Sequence, residues 1–138
     1  MQFISQSSEE TKDFAKDLSK KYLEKNIVIT LKGDLGAGKT TFVQGFAQGL
    51  GLKQKILSPT FIVCRQYPLD NRYFYHLDLY RFEEGFDTIN SGVQEILDSQ
   101  NIVLIEWPER LGKKLPSNCV KIDIKIISEN EREITVDE

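Results

Sequence analysis

Ile27-Val28-Ile29-Thr30-Leu31 and, just past Lys32, Gly33-Asp34-Leu35-Gly36-Ala37-Gly38-Lys39-Thr40 decide the fold. The first stretch is short, β-branched and bounded by polar residues, which reads as a buried strand. The second matches G-x-x-x-x-G-K-[ST]. A helix is expected from about Lys39 to Leu50, with Gly51 at its C-cap. Strand, glycine-rich loop and helix in that order are the context the pattern needs. A loop of this length wraps backbone N–H groups around a β-phosphate. Glycine is required where the chain turns tightly and where a Cβ would strike the phosphate. The following helix aims its partial positive charge at the anion. Lys39 is placed to reach the β- and γ-phosphates, and the Thr40 hydroxyl to bind Mg²⁺. Asp34, Leu35, Gly36, Ala37, Gly38, Lys39, Thr40 and Thr41 are thus the candidate nucleotide contacts.

Outward from this core the chain alternates helix and strand signals. Ser7 and Glu10 form a capping-box pattern, and Phe14, Leu18 and Tyr22 recur at helical spacing opposite Lys12, Asp13, Lys16 and Asp17. Asn26 is expected to end that helix. Strands are expected at Phe61 to Tyr67, Tyr73 to Leu77 and Ile102 to Ile105, with a turn at Pro68–Asn71. Gly92 to Leu97 suggests a short helix. Val120–Ile127 and Ile134–Val136 flank Ser128–Glu131 as an antiparallel hairpin. Together they predict an α/β fold of the P-loop type, a mixed, largely parallel sheet flanked by helices, ending in an antiparallel hairpin.

The 138 residues fit one domain spanning 1–138, with 40% apolar and 28% charged residues. Net charge is −3, which speaks against direct nucleic-acid binding. Cys64 and Cys119 are too few for a disulfide scaffold and read as reduced thiols. Neither a secretory leader nor a membrane-length apolar run is evident, so a cytoplasmic protein is expected. Six of the nine glycines fall between Gly33 and Gly51, marking that segment for special backbone work.

A P-loop hydrolase needs acidic residues at strand ends near Mg²⁺. Asp78 follows Tyr73–Leu77, and Glu106 follows Ile102–Ile105. Ligands in open α/β sheets lie beyond the carboxyl ends of strands. One acid can hold Mg²⁺ through water while the other orients the attacking water, and sequence leaves open which does which. Neither an N-K-x-D guanine motif nor an L-S-G-G-Q transporter signature is present. The short chain leaves little room for an acceptor domain, so a hydrolytic switch is favoured over a small-molecule kinase. A non-catalytic ATP-responsive adaptor is the other alternative.

Four blocks in order resemble the TsaE (YjeE) family, the P-loop ATPase of bacterial tRNA threonylcarbamoyladenosine modification. They are Gly33 to Thr41, Ser58-Pro59-Thr60-Phe61, His76-Leu77-Asp78-Leu79-Tyr80-Arg81 and Glu106-Trp107-Pro108-Glu109-Arg110. The resemblance covers nearly the whole chain, but nothing is carried across Glu83 to Ser91. It implies ATP and Mg²⁺ as cofactors, with TsaD and TsaB as partners and tRNA met only through that complex. It implies that Thr60 senses Mg²⁺ or the γ-phosphate, that Asp78 is the Mg²⁺ acid and that Glu106 is a second catalytic acid. Trp107 is implied to lie beside the nucleotide. His76 is expected to be structural or to support Asp78, and Tyr73 and Tyr75 to be core aromatics. Arg81 and Arg110 are expected to meet phosphate, a partner or nearby glutamates. Turnover by the chain alone is expected to be weak.

Overall fold

A computed structural model describes residues 1–54, 56 and 63–138. In chain order the elements are β1 (Gln2–Ser5), α1 (Ser8–Ser19), β2 (Ile27–Gly33), α2 (Lys39–Gly49), β3 (Cys64–Pro68), β4 (Tyr73–Asp78), α3 (Val93–Leu97), β5 (Ile102–Glu106), β6 (Val120–Ile126) and β7 (Arg132–Asp137). Seven strands form one sheet in the order β1-β7-β6-β2-β5-β4-β3. The central pairings, β6–β2, β2–β5 and β5–β4, are parallel. The outer ones, β1–β7, β7–β6 and β3–β4, are antiparallel. The mixed sheet expected from sequence is therefore parallel at its centre and antiparallel at its margins.

Period-two alternation divides the core. Ile29, Leu31, Phe74, Ile102 and Leu104 face one side, where Phe42, Val43, Phe46 and Ala47 of α2 and Ala15 and Leu18 of α1 pack on them. Val103, Ile105 and Leu77 face the other side and meet Val93, Leu97 and Leu111. An aromatic run links the layers: Phe46 lies 5.9 Å from Phe74 and 6.4 Å from Tyr22, ring centre to ring centre. Each fully buried Phe adds roughly 1.5–3 kcal/mol of stability.

Several sequence expectations shift by local chemistry. Ser7 caps α1 by accepting from the Glu10 N–H at 3.1 Å, but the Glu10 carboxylate accepts from the Gln6 N–H instead of closing the box on Ser7. The first helix ends at Ser19, before Asn26, and Tyr22 sits on a 3-10 turn over Lys20–Tyr22. Pro68 closes β3 opposite Tyr73 and does not begin the turn; on this edge strand its missing N–H costs no ladder bond. The part of the expected strand at Phe61 and Ile62 lies outside the described residues. Tyr73 is exposed, at the sheet rim, so only Tyr75 joins the core. β1 and the kinked 3-10 stretch Pro108–Lys114 carry no sequence pattern strong enough to announce them.

Both cysteines are free thiols, and burial pushes the Cys64 thiol up from its ordinary value. Among the described residues, no helix is long and apolar enough to cross a membrane.

Candidate functional site

The loop between β2 and α2 is built around glycines. Gly36 and Gly38 adopt φ of 81° and 102°, the left-handed region that side-chain-bearing residues avoid. Gly33 is needed for space: a Cβ there would come 3.0 Å from the Ile124 carbonyl of β6 and 3.2 Å from Ala37 Cβ. The Ala37 N–H donates to the Asp34 carbonyl at 2.9 Å, closing the turn. Gly38 is the N-cap of α2, so the orphan N–H groups of the helix's first turn open onto the loop's concavity.

Strand register delivers the acids to the same place. In the β4–β5 pairing His76 lies opposite Leu104 and Asp78 opposite Glu106, while Leu31, two residues before the loop begins, pairs with Glu106. Alternation puts His76, Asp78 and Glu106 on the α2 side of the sheet, at the carboxyl ends of adjacent strands. Asp78 is 5% exposed and Glu106 8%. One Asp78 oxygen accepts from the Tyr80 N–H at 3.0 Å.

Glu106 bridges two partners. One oxygen lies 3.6 Å from the Lys39 ammonium, and the other is 2.7 Å from His76 Nε2. Burial pushes the Glu106 carboxyl up, but the His76 contact and the Lys39 ammonium outweigh it and hold it below its ordinary value. Among the described residues His76 Nδ1, which is buried, has no hydrogen-bond partner, so the tautomer that strands no donor is the one protonated on Nε2, donating to Glu106. The histidine thus serves Glu106 in place of the expected Asp78.

Trp107 follows with φ 60° and ψ 52°, a left-handed conformation rare for a bulky residue. Its ring lies 5.1 Å from Tyr80, 5.5 Å from the Lys39 ammonium and 5.2 Å from the Arg110 guanidinium. Arg110 therefore stacks on this ring and, among the described residues, is within ion-pair distance of no glutamate. Leu35, Gly36, Gly38, Lys39, Thr40, Thr41, Asp78, Tyr80, Glu106 and Trp107 line one cavity of about 530 Å³. Apart from Asp34, Ala37 and Thr60, every site residue picked from sequence lines it. Asp34 lines an adjoining cleft of about 630 Å³ that shares Lys39 and Trp107. Ala37 is buried behind the loop and faces a smaller cleft lined also by Ser7, Thr41 and Arg132. Thr60, with Ser58, Pro59 and Phe61, lies outside the described residues.

A family model described as threonylcarbamoyl adenosine biosynthesis protein TsaE matches residues 5–134. The chain belongs to the TsaE family. It is 42% identical over 127 residues to the tRNA threonylcarbamoyladenosine biosynthesis protein TsaE of Bacillus subtilis, covering 92% of this chain and 78% of that one. To the TsaE protein of Treponema pallidum it is 37% identical over 136 residues, 99% of either chain. The crystal structure of Bacillus subtilis YdiB superposes with a TM-score of 0.81 at 35% identity, covering 99% of this chain and 83% of that one.

Arg132, on β7, is a site residue that sequence patterns do not reveal. Its guanidinium donates to the Ala37 carbonyl at 3.0 Å and the Gly36 carbonyl at 3.3 Å, from 95 and 96 residues away. No local spacing could have signalled it.

Proposed function

We propose that this TsaE-family chain binds MgATP in the cavity between its phosphate loop and the β4–β5 acids. In this role it hydrolyses ATP as an accessory to threonylcarbamoyladenosine modification of tRNA, acting with TsaD and TsaB. The observation that carries the proposal is convergence: the ammonium of Lys39 and the carboxylates of Asp78 and Glu106 share one cavity with the left-handed glycines of the loop. Such a cradle fits a polyphosphate because its curvature comes from backbone N–H groups and a helix N-terminus. The donors also fit magnesium. Mg²⁺ takes one or two protein carboxylates and completes its shell with water and phosphate oxygens. The exposed Thr40 hydroxyl and the Asp78 carboxylate supply that kind of set, which leaves Glu106 for the water. When bound, the ion neutralises charge on the phosphate oxygens.

The chain's own residues have distinct tasks under this proposal. The loop N–H groups and Lys39 grip the phosphates, which requires Lys39 to leave Glu106. Glu106, oriented by His76, is then a free carboxylate beside the reacting phosphate and can position the attacking water. Trp107 closes one wall of the cavity. The pathway assignment rests on the names of the relatives, and partner dependence on the open, solvent-facing mouth, where Leu35 is 99% exposed.

Phosphate release from MgATP, measured for the chain alone and with TsaD and TsaB, tests the proposal. Release is expected to rise with the partners and to fall about 100-fold or more in Lys39→Ala, the usual scale for losing a preorganised charge. Nucleotide binding with no release in any mixture would instead identify an adaptor.

A further inference from the structure

Arg132 is bonded in an unusual way. Its three nitrogens donate to five main-chain carbonyls: Gly36 and Ala37 in the phosphate loop, and Ser128, Glu129 and Glu131 in the β6–β7 turn. Among the described residues, no carboxylate lies within ion-pair distance of it. A buried or half-buried arginine is ordinarily paired with an acid. Here the cation is spent wholly on backbone.

The geometry of the peptide says what this does. In a trans peptide the C=O and the next N–H point opposite ways. Holding the Ala37 carbonyl toward Arg132 turns the Gly38 N–H away from Arg132. Holding the Gly36 carbonyl the same way aims the Ala37 N–H at the Asp34 carbonyl, the 2.9 Å bond that closes the turn. Both constraints fall on peptides flanked by left-handed glycines, the softest part of the loop. The fork also ties the loop to the hairpin tip, whose Glu129 and Asn130 line a cleft with Ser7, Thr11, Gly36 and Thr41.

We infer that Arg132 is a positioning residue for phosphate binding: it clamps the loop from behind so that its amides are set before a nucleotide arrives, with the C-terminal hairpin as the anchor. This role rests on the nucleotide site proposed above. Preorganisation of this kind shows as affinity, because the free loop need not be ordered on binding.

The test is ADP affinity by calorimetry for wild type, Arg132→Ala and Arg132→Lys, with amide exchange as a second readout. Arg132→Ala is expected to weaken ADP about tenfold or more. Arg132→Lys is expected to lose most of the same affinity, because a point charge cannot reach carbonyls on both the loop and the hairpin. Faster exchange is expected at Ala37 and Gly38, with β2 and β5 unchanged. Added methylguanidinium should restore ADP affinity to Arg132→Ala, and methylammonium should not. ADP affinity within about twofold of wild type in either folded variant would overturn the clamp, as would lowered melting temperature with unchanged affinity. If Arg132→Ala does not fold, Arg132→Lys decides by the same thresholds. Wild-type chain that binds neither ADP nor MgATP would instead remove the nucleotide site itself.

Discussion

The two ends of α2 both depend on glycine, for opposite reasons. At the N-terminal end, Gly36 and Gly38 have open space around them; a Cβ would meet nothing within 4 Å, and only their positive φ demands glycine. At the other end, Gly45 and Gly49 are helical and have no space at all. A Cβ on Gly45 would overlap the Lys12 carbonyl group, and one on Gly49 would overlap Ser19 Oγ and the Lys16 carbonyl of α1. Four of the glycines between Gly33 and Gly51 therefore form two devices. One lets the loop before α2 turn through positive φ, and the other lets α1 lie against α2 backbone to backbone.

Gly38→Ala should separate the two devices most strongly. A side chain at φ 102° costs roughly 1–2 kcal/mol. If the loop relaxes to escape that strain, its N–H turns away from the phosphate, and a hydrogen bond to a charged group is worth about 1.5–3 kcal/mol. ADP affinity should fall about tenfold or more, measured by titration, while the melting temperature falls by only a few degrees, about 3–8 °C. Gly45→Ala should behave the other way. Its neighbours are backbone atoms that cannot rotate aside, so overpacking should cost about 1–3 kcal/mol and lower the melting temperature by about 5–10 °C. ADP affinity per folded molecule should stay within about twofold of wild type. A Gly45→Ala protein that binds ADP poorly, or a Gly38→Ala protein that only melts early, would undo the division.

The smallest effect distinguishes the two ends by pH. Glu106 sits at the loop end with its carboxyl held below the ordinary value near 4.5. A depressed acid stabilises the fold above the unfolded value and loses that contribution as pH falls through the folded one. The stability gap between wild type and Glu106→Gln should therefore be full at pH 6–7 and close progressively below about pH 4.5. The deficit of Gly45→Ala should not narrow over the same range, since no titrating group is in its contact. Denaturant melts at several pH values read both.

Much of the fold and of the site is legible in the amino-acid sequence. β2, the loop and α2 are readable because each is encoded locally: a β-branched run, a spaced glycine pattern and a helix start whose chemistry needs those residues. Asp78 and Glu106 are readable because both end strongly apolar strands. Less is legible where an element is held by contacts alone. β1 is four residues, and its ladder partner is β7, at the other end of the chain. The 3-10 stretch after Trp107 is kinked at Gly112 and lacks a steady period. The service of His76 to Glu106 depends on which strands are neighbours, and β4 and β5 are separated by α3.

Local spacing alone dictates the phosphate loop, the two acids and the family, because short-range pattern suffices to state which backbone can form and what it can hold. Assembly of the sheet and its helices settles the rest. It sets the register that brings Asp78 opposite Glu106, sends the His76 bond to Glu106, splits the glycines between loop and helix crossing, and returns Arg132 from the C-terminal hairpin to the loop's carbonyls. Those outcomes depend on the order of strands across a sheet and on the closeness of two helices. Arg132 and the loop carbonyls, 95 and 96 positions apart in the chain, meet only when the whole sheet is in place.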